Sequence, residues 1–144
     1  MKIKKFNNLQ LRKFEVPFFA YNFNPQLSES ELIPIEENLD LKAFLQTKRE
    51  DTTEFRLGLI LKTAEKEKSK VDFAVLCFFH FKAEIPITGE REEEARYVAT
   101  ALSISYSTLR GYLFQKFPDL GLLPLISISE LYKALEEGTK EISS

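Results

Sequence analysis

The stretch that decides the fold is residues 71–82, Val71-Asp72-Phe73-Ala74-Val75-Leu76-Cys77-Phe78-Phe79-His80-Phe81-Lys82. Val71, Phe73, Val75, Cys77, Phe79 and Phe81 point one way; Asp72, Ala74, Leu76, Phe78, His80 and Lys82 point the other. A period of two sustained over this length is a β-strand with a wholly apolar face opposite a mixed one. Upstream, Phe55, Leu57, Leu59 and Leu61 alternate with Arg56, Gly58, Ile60 and Lys62 in the same way. A charged turn at residues 64–70 separates the two runs, so together they predict a long antiparallel hairpin.

Working towards the N-terminus, Leu39, Leu41, Ala43 and Leu45 alternate with Asp40, Lys42, Phe44 and Gln46, which predicts a half-buried strand ahead of the polar turn at residues 49–53. Residues 9–24 are rich in Phe, Val and Tyr and read as an opening strand. Pro17 lies inside it and cannot donate to a ladder, so an edge position or a bulge is expected there. Residues 25–37 hold Pro, Ser and Glu and read as an exposed connection.

Working towards the C-terminus, the acids of Glu90-Arg91-Glu92-Glu93-Glu94 favour the positive end of a helix. Val98, Leu102, Tyr106, Leu109, Leu113 and Phe117 then recur at three- and four-residue spacing on one helical face. The weak helix formers of residues 103–108 predict a break in its middle, and Pro118 an end near Phe117. A loop with Leu120, Leu122 and Leu123 follows between Pro118 and Pro124. Ser127-Ile128-Ser129-Glu130 has capping-box spacing and predicts a short helix to about Glu136. The fold class is α+β: a four-stranded antiparallel sheet with a long interrupted helix and a short C-terminal helix packed on one face. Residues 1–138 form a single domain and 139–144 a frayed tail.

The chain has 144 residues, 44% of them hydrophobic, which is enough for a core without disulfides or metal. Its net charge of −2 gives no global attraction to nucleic acid or anionic membrane. Cys77, the lone cysteine, has no partner for an internal disulfide, as expected of a reducing compartment. Lys2, Lys4 and Lys5 are not followed by the apolar run of a signal peptide, and no segment nears the roughly 18 apolar residues of a membrane helix. A soluble cytoplasmic protein is expected.

Catalytic chemistry is not advertised. His80 is the only histidine and has no cysteine or acid at ligand spacing, so a half-exposed strand histidine is the plainer reading. Cys77, on the apolar strand face, reads as a small core residue. The Glu92–Glu94 acids read as a solvated helix start, and five glycines leave little room for a phosphate loop. Basic residues are spread among acids, unlike a nucleic-acid surface. No enzyme, no metal and no cofactor are expected. The features that ask for an account are apolar: 13 Phe and 5 Tyr, the leucines of the proline-bounded loop, and Leu76 and Phe78 on the mixed strand face.

The layout resembles the SecB family of export chaperones and their SecB-like relatives, most closely over residues 55–135. Residues 55–61 and 73–79 look like that family's last two strands. Residues 98–111 resemble its long helix. Phe117-Pro118 with Leu122-Leu123-Pro124-Leu125 resembles its proline-flanked loop, and residues 128–132 the start of its final helix. The resemblance implies an ATP-independent holdase that binds unfolded client polypeptides along apolar grooves, assembled as a homotetramer, a dimer of dimers. Carried over by position, the groove would draw on Leu57, Leu59, Tyr106, Phe117, Leu122, Leu123, Leu125 and Tyr132. In export chaperones the solvent-facing side of the sheet is acidic and docks the motor SecA. Phe78 stands here at a position that carries an acid in that family, with Lys82 beyond it, which argues against SecA docking. Some SecB-like proteins instead guard an aggregation-prone antitoxin in a toxin–antitoxin system.

A second reading is an adaptor that binds one folded partner through the strand face carrying Leu76, Phe78, His80 and Lys82. A small-ligand pocket between sheet and helices is a third, with no motif behind it. Polar replacement of Leu122 and Leu123 is expected to weaken client binding and spare the fold if they line a groove, and to unfold the chain if they cap the core.

Overall fold

The computed structural model describes residues 9–23, 39–63, 71–89, 92–118 and 123–143. Four strands, β1 (Leu9–Phe23), β2 (Leu39–Thr47), β3 (Glu54–Thr63) and β4 (Val71–Ala83), are followed by α1 (Glu92–Lys116) and α2 (Ile128–Ser143). All pairings are antiparallel and the sheet order is β1-β4-β3-β2. The expected four-stranded α+β architecture is therefore present.

The hairpin pairs Phe55 with Phe81, Leu57 with Phe79, Leu59 with Cys77 and Leu61 with Val75. All eight of these side chains are buried. At roughly 1.5–3 kcal/mol for each fully buried large side chain, this one face supplies a large share of the domain's hydrophobic stabilisation. The helical stripe Val98, Leu102, Tyr106, Leu109 and Leu113 joins the same core, as do Leu123, Leu131 and Leu135.

β1 lies at one edge of the sheet, and its register with β4 shifts between Glu15 and Phe18, around Pro17. The edge position and the bulge expected from that proline both occur, because neither asks it for a ladder N–H. The side of β1 that faces the helices is aromatic. Phe14 stacks on Phe79 at 4.9 Å between ring centroids and meets Tyr112 edge-on at 5.4 Å, while Phe19 stacks on Phe117 at 4.2 Å.

Two expectations about the helices are corrected. α1 runs uninterrupted through residues 103–108. Thr100 and Thr108 turn their hydroxyls back onto the carbonyls of Arg96 (2.8 Å) and Ile104 (2.7 Å), so they do not compete for backbone at a break. Leu102, Ser105, Tyr106 and Leu109 are meanwhile buried, and packing overrides propensity. α2, capped by Ser127 Oγ accepting from the Glu130 N–H at 3.2 Å, continues beyond Glu136 and through Gly138 to Ser143. The glycine is not a helix stop. A Cβ there would sit 1.8 Å from the carbonyl oxygen of Ala43, so glycine lets α2 lie directly on β2.

The start of α1 also departs from expectation. Glu92 and Glu93 are exposed, but Glu94 is buried. Its carboxylate accepts from the Thr88 N–H (3.0 Å), the Thr88 hydroxyl (2.8 Å) and the Gly89 N–H (2.6 Å), tying the β4–α1 connection to the helix.

Two substitutions test this packing. Gly138→Ala should lower stability by roughly 1–3 kcal/mol in chemical denaturation, although alanine is the better helix former by about 1 kcal/mol, because backbone has to move aside. Ser105 Oγ is buried and has no hydrogen-bond partner among the described residues. Ser105→Ala should therefore raise stability by about 1 kcal/mol in the same measurement.

Candidate functional site

The described stretch ahead of α2, residues 123–127, is held from α1 by its backbone. Tyr106 donates its hydroxyl to the Pro124 carbonyl at 2.7 Å, and Arg110 Nε donates to the Leu123 carbonyl at 2.8 Å. Burial pushes the Tyr106 hydroxyl up to about 12, so it remains a donor across the physiological range. Leu123 drops into the core at 1% exposure, whereas Leu125, two residues on, is 84% exposed. Ile128, at the start of α2, is 52% exposed. Beside them a cavity of about 270 Å³ opens between α2 and β2, with an apolar floor of Leu41, Ile126 and Ala134 and a charged rim of Glu130, Lys133 and Glu137.

The eight residues expected to form a groove therefore occupy different places. Leu125 is on the surface and Tyr132 is half-buried on α2, which packs along β2. Leu57, Leu59 and Leu123 are closed off in the core, and Tyr106 is buried with its hydroxyl on the loop. Phe117 goes to the opposite edge of the sheet, stacked on Phe19 and Tyr21 of β1. Leu122 lies outside the described residues. At Leu123, polar replacement would bury a polar group, so that position caps the core. Ile126 and Ile128 were not singled out from the sequence, although they follow the proline-bounded loop directly.

Leu76, Phe78, His80 and Lys82 all fall on the face of the sheet opposite the helices, each half-buried. Cross-strand register adds Phe18 and Ile60 beside Leu76, and Glu15 beside Phe78 with Gly58 and Phe44 on its other side. The Phe44 ring lies over Gly58, where a Cβ would be 2.1 Å from it, and meets Phe78 edge-on at 5.9 Å. Arg56 sits over the Phe78 ring at 4.3 Å. His80 Nε2 is 2.6 Å from Glu15 Oε1, and this hydrogen bond, helped by the charge of Lys13, holds the Glu15 carboxyl below its usual range. Lys82 Nζ bonds Asp51 Oδ2 at 2.8 Å and the Thr53 hydroxyl at 2.6 Å.

Chemistry elsewhere is sparse. Cys77 is buried, and desolvation pushes its thiol up to about 12, far from a reactive thiolate. Among the described residues no group of His, Cys, Asp and Glu could hold a metal ion, and no helix is long and apolar enough to cross a membrane.

No protein-family model matches the sequence, and no curated protein does. Solved structures do match. One of them is the Mycobacterium tuberculosis Rv1957 SecB-like chaperone in complex with a ChAD peptide from the Rv1956 HigA1 antitoxin. It is 14% identical, with a TM-score of 0.52, and the match covers 83% of this chain and 89% of that one. The fold is thus SecB-like.

Asp51 generates a pH prediction. Hydrogen bonds from Lys82, and then from the Thr53 hydroxyl and N–H, lower its carboxyl from 3.8 to about 2. A depressed folded-state value means that the stabilisation is present above the unfolded value and is lost as pH falls from about 4 through about 2. Asp51→Asn should flatten the acid-unfolding curve in that window and leave its shape at neutral pH unchanged, as followed by circular dichroism.

Proposed function

We propose that this chain is a non-enzymatic, ATP-independent chaperone of the SecB-like kind, which binds unfolded or aggregation-prone polypeptide segments. The observation that carries the reading is Leu125 at 84% exposure directly after two residues, Leu123 and Pro124, whose carbonyls are held from α1, followed by exposed Ile128 and the apolar slot between α2 and β2. A patch of this kind costs free energy in water and recovers it when another chain covers it. Half-buried Tyr132 on α2, and Leu122, next in sequence to Leu123, are proposed as further members of this client-binding surface. The antitoxin peptide held by the Mycobacterium tuberculosis neighbour favours a dedicated client, such as an antitoxin, over general export. Assembly as a dimer of dimers in the cytoplasm completes the proposal. An adaptor that uses the helix-free face is the second reading. The exposed and half-buried Phe18, Leu76 and Phe78 there support it.

The test is light scattering from a chemically unfolded, slow-folding client diluted into buffer with stoichiometric protein and no ATP. Suppressed aggregation is the expected result. No suppression from a well-folded sample would put the adaptor first. Leu125→Glu combined with Ile128→Glu should abolish suppression with an unchanged melting temperature, whereas Leu123→Glu should unfold the protein.

A further inference from the structure

A second feature lies on the opposite side of the sheet from that loop. At the end of the sheet where β2 gives way to β3, a cavity of about 530 Å³ is lined by Arg12, Gln46, Lys48, Glu54, Arg56 and His80. Its size is within the ordinary range of ligand sites. Three fixed cations, Arg12, Lys48 and Arg56, face one carboxylate, Glu54, in a chain whose net charge is −2. Glu54 is already engaged by Lys48 at 2.7 Å. Arg12 has no partner among the described residues. It is the extra residue of the register shift between Leu11 and Lys13, a bulge that aims its side chain. Arg56 gives Nε to Gln46 at 2.5 Å and lays its guanidinium on Phe78, which leaves its terminal nitrogens without an acceptor among the described residues.

We propose that this cavity docks an acidic segment of a partner polypeptide. Two guanidinium forks that no carboxylate engages among the described residues match carboxylate geometry, and that of Arg56 is already oriented by a stacked ring and an amide. From Phe78 an apolar strip of Phe44, Leu76, Ile60 and Phe18 leads away across the strands, so an extended chain bearing acids beside apolar residues can use both parts. A nucleotide finds less here. Phe55 and Phe81 also line it, and their strands β3 and β4 are interior to the sheet and paired on both sides, so their ladder amides are not offered to a phosphate. The sign is opposite to the acidic docking face that the family resemblance implies for export chaperones. The site does not rest on the client-binding reading, because it uses different residues on the other face.

The experiment is fluorescence anisotropy of a labelled short peptide rich in Glu, Leu and Phe, beside a peptide with Lys in place of Glu, titrated with the full chain. The acidic peptide should bind, more weakly as salt rises, and the lysine peptide should not. Arg12→Glu and Arg56→Glu should each weaken binding about tenfold or more. Arg12 is exposed and its variant should keep its melting temperature; should Arg56→Glu unfold, Arg12→Glu alone decides. Leu125→Glu should bind the acidic peptide normally, and Arg12→Glu should leave client aggregation assays unchanged. Equal binding of the lysine peptide, full binding by Arg12→Glu, or loss of binding in Leu125→Glu would overturn the proposal. Arg12-dependent binding of inorganic pyrophosphate without binding of the acidic peptide would do so too.

Discussion

The removal of alternate β3 and β4 side chains from water on one face of the hairpin organises the rest of the molecule. Phe55, Leu57, Leu59 and Leu61 pair with Phe81, Phe79, Cys77 and Val75, and none exceeds 3% exposure. Because a strand has a side-chain period of two, burying these residues fixes which others must face away. A one-residue slip would move the whole set to the wrong side. Arg56, Gly58, Ile60, Leu76, Phe78 and His80 thereby share the helix-free face whatever their polarity. The apolar stripe of α1 supplies the cover, and α2 completes it over β2, where Gly138 sets how closely the helix can lie.

This constraint also explains what could be read from the sequence. The four strands, with bounds close to those expected, were legible because alternation is local and repeated. The place of β1 beside β4 was not, since periodicity is silent about which distant strand pairs with which; only Pro17 pointed to an edge. The break expected in α1 reflected hydroxyl propensities that tertiary packing overrode. Glu94 looked like any helix-start acid, and its burial depends on the path of the preceding turn. In the candidate site, the apolar character of the loop was legible and its division was not. Leu123 and Leu125 are the same residue type two positions apart, and which one turns inward goes with a backbone held by Tyr106 and Arg110, contacts that periodicity does not reveal. Leu57 and Leu59 were placed in a groove by position, from the family resemblance, and a positional carry-over does not show that helices already cover that face of the strand. Arg12 escaped notice because a bulge, absent from any periodic pattern, aims it.

Those two hydrogen bonds bear on how an exposed leucine can be kept in place. An apolar loop normally fixes itself by burying its own side chains, which would leave no surface for another chain. Here the stretch from Leu123 is held through the carbonyls of Leu123 and Pro124, by donors from a helix that is itself anchored in the core. Leu123 adds one buried anchor, and Leu125 is left without an anchoring duty. The conformational cost of ordering residues 123–125 is thus met within the folded protein rather than at the moment of binding, which favours affinity for an extended partner. Fixing backbone from a rigid helix while turning alternate leucines in opposite directions separates stability from stickiness within three residues. That separation is what lets an apolar surface persist on a folded domain without collapsing into its own core.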